Sequence, residues 1–168
     1  MQTMKIVRSS VVALAVASAG VFGSAHAATG TANASAVILT PISITKNVDL
    51  AFGDVYPDAA AAGTVTVDAA GTRSAGGAAA LGATAGAAAQ FAVSGEASAA
   101  YTITLPAAAV TLTSGADTMT VDAFSTDGTG TLDGTGNENI NVGATLNVGV
   151  NQPAGTYSGT FDVTVNYN

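Results

Sequence analysis

Large apolar and small polar residues alternate through the C-terminal segment GTFDVTVNYN. Four apolar side chains share one face of an extended chain, and the residues between them are polar; the four are Phe161, Val163, Val165 and Tyr167. This period of two predicts a β-strand with one buried face. Because chain ends fray unless something pins them, we expect this strand to pair with a neighbour in the chain or with a partner.

The same alternation recurs along the chain and is interrupted by Gly, Asn, Asp and Pro. It predicts short strands in VDLAFG, TVTV, QFAVSG, YTITLP, VTLT, TMTVDAF and NINVGATLNVGV. An alanine-rich stretch from Gly76 to Gln90 has no polar face and is broken by Gly82 and Gly86, so it predicts a loop with one short strand around Ala79 to Leu81. These elements predict an all-β fold, an antiparallel immunoglobulin-like sandwich.

The N-terminus has the pattern of a secretory signal peptide. Two basic residues precede an apolar run from Val11 to Gly23, and the small residues Ala25 and Ala27 follow it. Residues 1–27 are therefore predicted to be removed after Ala27. We expect an exported protein, first in the periplasm and then at the cell surface or outside the cell.

The rest of the chain has the size of one ordinary domain. We divide it into an N-terminal extension, residues 28–38, and a single β-sandwich domain, residues 39–168. No stretch after the signal peptide is long and apolar enough to predict a spanning helix, so an integral membrane protein is not expected.

The charge and residue types exclude several classes of function. After cleavage the chain keeps two basic residues, Lys46 and Arg73, against eleven acidic ones, which disfavours nucleic acid as a partner. It has no cysteine, and its single histidine, His26, lies in the predicted signal peptide. Nucleophile–histidine catalysis and disulfides are therefore excluded, and we expect a non-enzymatic protein without a cofactor.

One loop carries the residue types of a calcium site. In STDGTGTLDGTGNENI the candidate oxygen ligands are Asp127, Asp133, Asn137, Glu138 and Asn139. Their spacing does not match the twelve-residue helix–loop–helix pattern. A Gly-Asp-Asn turn explains the same residues, and we favour that interpretation over a metal site.

Five stretches together resemble a bacterial secreted family catalogued as domain of unknown function 4402. They are LTPISITKNVDLAFGDV, GTVTVDAAGTRSAGG, FAVSGEASAAYTITLP, TMTVDAF and NVGATLNVGVNQPAGTYSGTFDVTVNY. The resemblance covers nearly all of residues 39–167. The family description implies no activity.

LAFGDV and GTYSGTFDVTVNY are also similar to spore-coat-U-like domains and to the pilins of archaic chaperone-usher systems. That similarity implies an incomplete sandwich that folds on a periplasmic chaperone, meets an usher, and is completed by a donor strand from the next subunit. Phe161, Val163, Val165 and Tyr167 would then form the strand that accepts the chaperone and later the donor. The alternative is that they form the last strand of a complete sandwich.

The predicted donor strand is the extension ATGTANASAVIL. Its alternation places one set of residues on a common face, namely Ala32, Ala34, Ala36 and Ile38. Three of these side chains are small, and at about 0.8 kcal/mol per buried CH2 each Ala gives roughly 2 kcal/mol less than a Leu would. The extension therefore suits a shallow groove, or it is a flexible leader.

We interpret the chain as an exported structural or adhesive surface subunit, pilin-like and assembled by strand addition to other copies or related subunits. One alternative is a small outer-membrane β-barrel, although the chain ends in Asn168 and the predicted strands are shorter than the roughly 10 residues that such a barrel needs. The other is a monomeric periplasmic ligand-binding module, which would need a pocket with convergent polar groups.

Overall fold

The computed structural model describes residues 26–168. Residues 1–25, which hold most of the predicted signal peptide, lie outside the described residues. Residues 26–36 contain no helix or strand and are exposed. Val37–Asn168 form a separate compact unit that contains every strand in the described part of the chain.

The compact unit is built from strands alone. They are β1 (Ser43–Val48), β2 (Val55–Tyr56), β3 (Gly63–Val67), β4 (Arg73–Gly77), β5 (Ala80–Leu81), β6 (Ala89–Ser94), β7 (Tyr101–Thr104), β8 (Val110–Ser114), β9 (Asp117–Thr126), β10 (Asn137–Val148) and β11 (Thr164–Tyr167). All eight strand pairings are antiparallel. Residues 26–168 contain no helix, and hence none that is long and apolar enough to span a membrane. The predicted all-β antiparallel fold is confirmed.

The predicted strands differ from the observed ones at several places. The C-terminal strand is shorter than its alternation predicts, since β11 begins at Thr164 and leaves Phe161 and Val163 outside it. β2 was not predicted. VDLAFG is not a strand: β1 lies earlier, and the chain beyond it turns at Gly53, whose φ is +68°. β4 was not predicted, because RSAGG has no apolar alternation. The alternation in NINVGATLNVGV predicts that Val150 shares the buried face with Ile140 and Val148, but β10 ends at Val148 and Val150 is 47% exposed.

Strand β10 organises the seven-stranded main sheet. One of its edges pairs first with β6 and then with β3, while its other edge pairs with β9, which in turn pairs with β8. β1 and β4 extend the sheet beyond β6 and β3. The change of partner falls at Gly143, where an added Cβ would collide with the carbonyl oxygen of Val67. Glycine is required here because two backbones approach too closely for a side chain.

Two small sheets, β2–β5 and β7–β11, complete the unit. They contribute to two core clusters on the main sheet. The first contains Val65, Ala79, Met119, Val121, Ala144, Leu146 and Val148. The second contains Val93, Tyr101, Leu132, Ile140 and Val165. The first cluster is the one that borders the candidate site.

Candidate functional site

An apolar groove of about 850 Å³ opens over the first core cluster. One side is residues 49–57, here called the N-terminal wall, and the other is residues 152–161, the C-terminal wall. The main sheet provides the floor, which includes Phe91, Met119, Val121, Phe124, Leu146 and Val148. The floor residues are part of the hydrophobic core, so the groove is a place where the core is open.

The N-terminal wall offers apolar side chains to the groove and is paired only from behind. Leu50, Phe52 and Val55 pack against the first core cluster. Behind the wall, Ala51 exchanges two backbone hydrogen bonds with Ala87, at 2.9 and 2.8 Å, and β2 pairs with β5. No strand among residues 26–168 pairs with the edge that faces the groove.

The packing behind this wall explains the glycines of the alanine-rich stretch. An added Cβ would collide with the Cβ of Asp54 at Gly82, and would lie 2.9 Å from the carbonyl oxygen of Ala51 at Gly86. Gly53 itself combines a positive φ with close contacts to the Thr84 carbonyl and the Arg73 guanidinium. The two backbones therefore approach closely, as only glycine permits.

Arg73 reaches the same wall from the edge strand β4. Its Nη1 donates to the carbonyl oxygens of Phe52, at 2.9 Å, and Asp54, at 3.1 Å. Its Nη2 donates to the carbonyl of Gly82 at 2.7 Å. One guanidinium thus joins three backbone carbonyls on two segments.

The C-terminal wall is also paired on one side only. Ser158 exchanges two backbone hydrogen bonds with Thr113 of β8, at 2.9 and 3.0 Å. The Tyr157 hydroxyl donates to the carbonyl of Pro153 at 2.8 Å and accepts from Gln152 Nε2 at 2.8 Å. Within the described chain, the edge of this wall toward the groove has no strand partner.

Aromatic rings fill one end of the groove. The Phe161 ring lies 5.0 Å from the ring of Phe124 and 6.4 Å from that of Phe91, measured between centroids. These are ordinary tilted and edge-to-face distances for stabilising ring pairs. All three rings line the groove.

The walls run in opposite directions. At one end Asn151 donates its backbone N–H to the carbonyl of Asp58 at 2.9 Å and its side-chain amide to the carbonyl of Ala59 at 3.2 Å. At the other end β1 lies beside β11. The groove therefore lies between two antiparallel segments, each of which is paired on its outer side.

Of the predicted acceptor residues, Phe161 alone lines the groove. Val163, Val165 and Tyr167 instead pack in the second core cluster. The Tyr167 hydroxyl accepts from the backbone N–H of Glu96 at 2.6 Å and donates to the carbonyl of Thr40 at 2.8 Å. Within the described residues β11 pairs with a strand, β7, on one edge only. Its other edge leaves backbone groups without a strand partner, while these three side chains are packed in the core.

The predicted donor residues lie in chain without secondary structure. Ala32, Ala34 and Ala36 are exposed. Ile38 is 95% exposed, and its neighbours Val37 and Leu39 are 86% and 55% exposed. Three consecutive large apolar side chains thus stand in solvent, while the donor role itself stays a prediction.

The candidate calcium ligands are engaged in local hydrogen bonds. Asp133 Oδ1 accepts from the backbone N–H of Thr135 at 2.8 Å and of Asn137 at 2.9 Å, and the bond from Asn137 is the main reason that its pKa is lowered. Asp127 accepts from the backbone and side chain of Asn141, at 2.7 and 2.8 Å. Asn139 is exposed. Among the described residues no three His, Cys, Asp or Glu side chains are grouped to hold a metal ion, and the turn interpretation accounts for Asp133.

Glu138 has a different partner, the buried tyrosine Tyr101. The Tyr101 hydroxyl donates to Glu138 Oε2 at 2.6 Å, and Thr129 donates its backbone N–H and hydroxyl to Oε1, at 2.6 and 2.9 Å. Burial raises the pKa of Glu138, but hydrogen bonds from Tyr101 and Thr129 outweigh it, so the net pKa is lowered. Burial, and then Glu138, raise the pKa of Tyr101.

The sequence predicts part of the N-terminal wall as the strand VDLAFG, but it predicts neither the course of the wall nor the role of Arg73. Leu50 and Phe52 alternate as in a strand, and Gly53 then turns the backbone. One signal was present: Arg73 is one of only two basic residues after the predicted cleavage site and stands among small residues. A lone arginine in such a segment indicates a specific set of acceptors nearby.

The model of one family, described as Domain of unknown function (DUF4402), matches residues 42–167. No curated protein and no solved structure matches the chain.

Proposed function

We propose that this chain, which belongs to the DUF4402 family, is an exported structural subunit whose groove is filled by an extended segment of a second copy. The observation that carries the proposal is the groove itself, an opening in the core between two strand-like edges that no strand of residues 26–168 fills. Adding a strand to such edges satisfies backbone groups and buries apolar surface at once.

The proposed occupant is residues 31–38 of the second copy. An extended segment of eight residues is about 26 Å long, and the walls that it would lie between have nine residues (49–57) and ten residues (152–161). The segment has no charged residue, and the exposed Val37 and Ile38 lie at its C-terminal end. Its small residues Ala32, Ala34 and Ala36 would fit beside the three aromatic rings that line the groove.

Before assembly the same groove would be open to water. A chaperone that lends a strand during export, and an usher that exchanges it, would protect the exposed core. We propose these two partners on the same grounds as the subunit role, since an open apolar groove with free edges promotes aggregation.

The test is to delete residues 29–36 from the full-length chain and compare exported proteins on unheated gels. Polymers completed by an inserted strand dissociate slowly, so the wild type should give a ladder and the deletion variant should not. The matched control is the full-length chain with Ser35→Gly, which keeps the length and the apolar face of the extension. A wild type that is monomeric at every concentration, and as stable as the deletion variant, would refute the proposal and favour a self-contained binding module.

A further inference from the structure

We propose that Arg73 is a positioning residue that makes recognition in the groove one-sided. It holds the carbonyl groups of Phe52 and Asp54, in the middle of the N-terminal wall, away from the groove, so that an incoming strand takes most of its backbone hydrogen bonds from the C-terminal wall. The middle of the N-terminal wall then contributes mainly its apolar side chains. This inference rests on the proposed function, in which the groove receives a strand.

The hydrogen bonds of the wall carry the argument. The carbonyls of Phe52 and Asp54 accept from Arg73 at 2.9 and 3.1 Å, and that of Asp54 also accepts from the backbone N–H of Gly82 at 2.8 Å. The Ala51 carbonyl accepts from Ala87 at 2.8 Å. In a regular strand neighbouring carbonyls point to opposite sides, whereas here the carbonyls of both Ala51 and Phe52 are engaged behind the wall.

Gly53 makes this arrangement possible. Its φ of +68° reverses the local backbone direction between the two carbonyls that Arg73 binds. A Cβ at this position would collide with the Arg73 guanidinium and with the carbonyl of Thr84. The turn and the arginine therefore form one unit.

Besides Arg73, the wall is held by the packing of its apolar side chains, by two hydrogen bonds from Thr84 to the Asp54 carboxylate, and by a short strand pairing. Its strand pairing consists of the Ala51–Ala87 bridge and the two residues of β2 with β5. In the part of the chain that the structure describes, the sole ion pair joins Lys46 and Asp49, so Arg73 acts through its hydrogen bonds to neutral carbonyls. A lysine keeps the charge but lacks the planar fork that reaches three acceptors.

The experiment compares Arg73→Lys with the wild type, using protein purified from cells that express the full chain. Glu138→Gln is the matched control, because it also removes charge-assisted hydrogen bonds but lies outside the groove. Amide hydrogen exchange is measured over residues 49–57, and a fluorescent peptide of residues 29–39 is titrated by anisotropy at nanomolar protein concentration. Thermal unfolding of each free protein gives its global stability.

In Arg73→Lys the amides of residues 49–57 should exchange about tenfold faster than in the wild type, and the peptide should bind about tenfold more weakly. The exchange rates in β10 should be unchanged. Glu138→Gln should change neither the amide hydrogen exchange of residues 49–57 nor the peptide affinity, even if it loses as much thermal stability as Arg73→Lys does. Unchanged wall exchange in Arg73→Lys would overturn the inference, as would equal effects of the two variants. A wild type that does not bind the peptide would instead overturn the proposed occupant, and the exchange data would still decide the role of Arg73.

Discussion

Strand β10 and the walls of the groove both present apolar side chains to the hydrophobic core, but their neighbours differ. β10 has strands on both edges, and its residues Ile140 and Val142 are completely buried. The walls have strands on their outer edges only, and Leu50, Phe52 and Tyr157 remain half-buried. The difference shows that the same alternation of apolar and polar residues occurs where the chain completes its own core and where a partner can complete it.

The largest expected effect separates these regions directly. Ile140→Ala should lower the free energy of unfolding by about 2–5 kcal/mol, because a cavity is left in a region that cannot collapse easily. Leu50→Ala should cost the free chain only about 1 kcal/mol, since that side chain is already partly in water. Urea unfolding of both variants measures the two values; equal losses would remove the distinction between β10 and the wall.

In the assembled oligomer, Leu50→Ala should have a larger effect relative to Ile140→Ala than it has in the free chain. An inserted strand would cover Leu50 and leave the surroundings of Ile140 as they are. Leu50→Ala should then weaken the oligomer more than its effect on the free chain predicts. A variant whose oligomer dissociates at the wild-type rate would show that Leu50 does not face the occupant.

A smaller effect concerns the second core cluster, away from the groove. Glu138 has a folded-state pKa below its usual value of 4.5, so its hydrogen bonds stabilise the fold above that pH and are lost as the pH falls through the lowered pKa. We expect wild-type stability to decline below pH 4.5 and Glu138→Gln, less stable by about 1–2 kcal/mol at pH 7, to decline less. Unfolding free energies from pH 7 to pH 3 test this, and parallel curves for the two proteins would contradict it.

The smallest effect is expected at the turn that resembles a calcium loop. Asp133 already accepts backbone hydrogen bonds within its own turn, and Asp127 is paired with Asn141. Calcium should therefore leave the melting temperature of the wild type unchanged, and the response of Asp127→Ala with Asp133→Ala should be equally flat. A rise with calcium in the wild type that the double variant lacks would make this loop a metal site.

The sequence predicts β10 better than it predicts the groove, for a physical reason. Alternation reports that a strand has one buried face, and in β10 the buried positions follow it from Ile140 to Val148. It does not report which chain supplies the neighbour on each edge. The same limit explains why Val163, Val165 and Tyr167 were predicted on the right face of a strand but as an acceptor surface, while they fill the second core cluster.

Local pattern predicts that Leu50 and Phe52 share the buried side of the N-terminal wall, but not the course of its backbone. Its course depends on Gly53 at a positive φ and on Arg73, which is distant in sequence and binds backbone rather than side chains. Backbone carbonyls carry no residue-specific signal, so such a contact is invisible until the chain is folded. For this reason the alternation in VDLAFG predicts a strand, although residues 49–54 contain no regular strand.

The most direct test of strand exchange between copies uses the fact that the chain has no cysteine. One population carries Asn33→Cys, Ser35→Cys or Val37→Cys in the extension, and the other carries Thr160→Cys in the C-terminal wall, with exposed Thr118→Cys outside the groove as the control. After mixing and mild oxidation, the account predicts a disulfide between the two populations at Thr160→Cys, strongest for one extension position, and none at Thr118→Cys. No cross-link at Thr160→Cys, or one that forms only within a single chain carrying both cysteines, would contradict it.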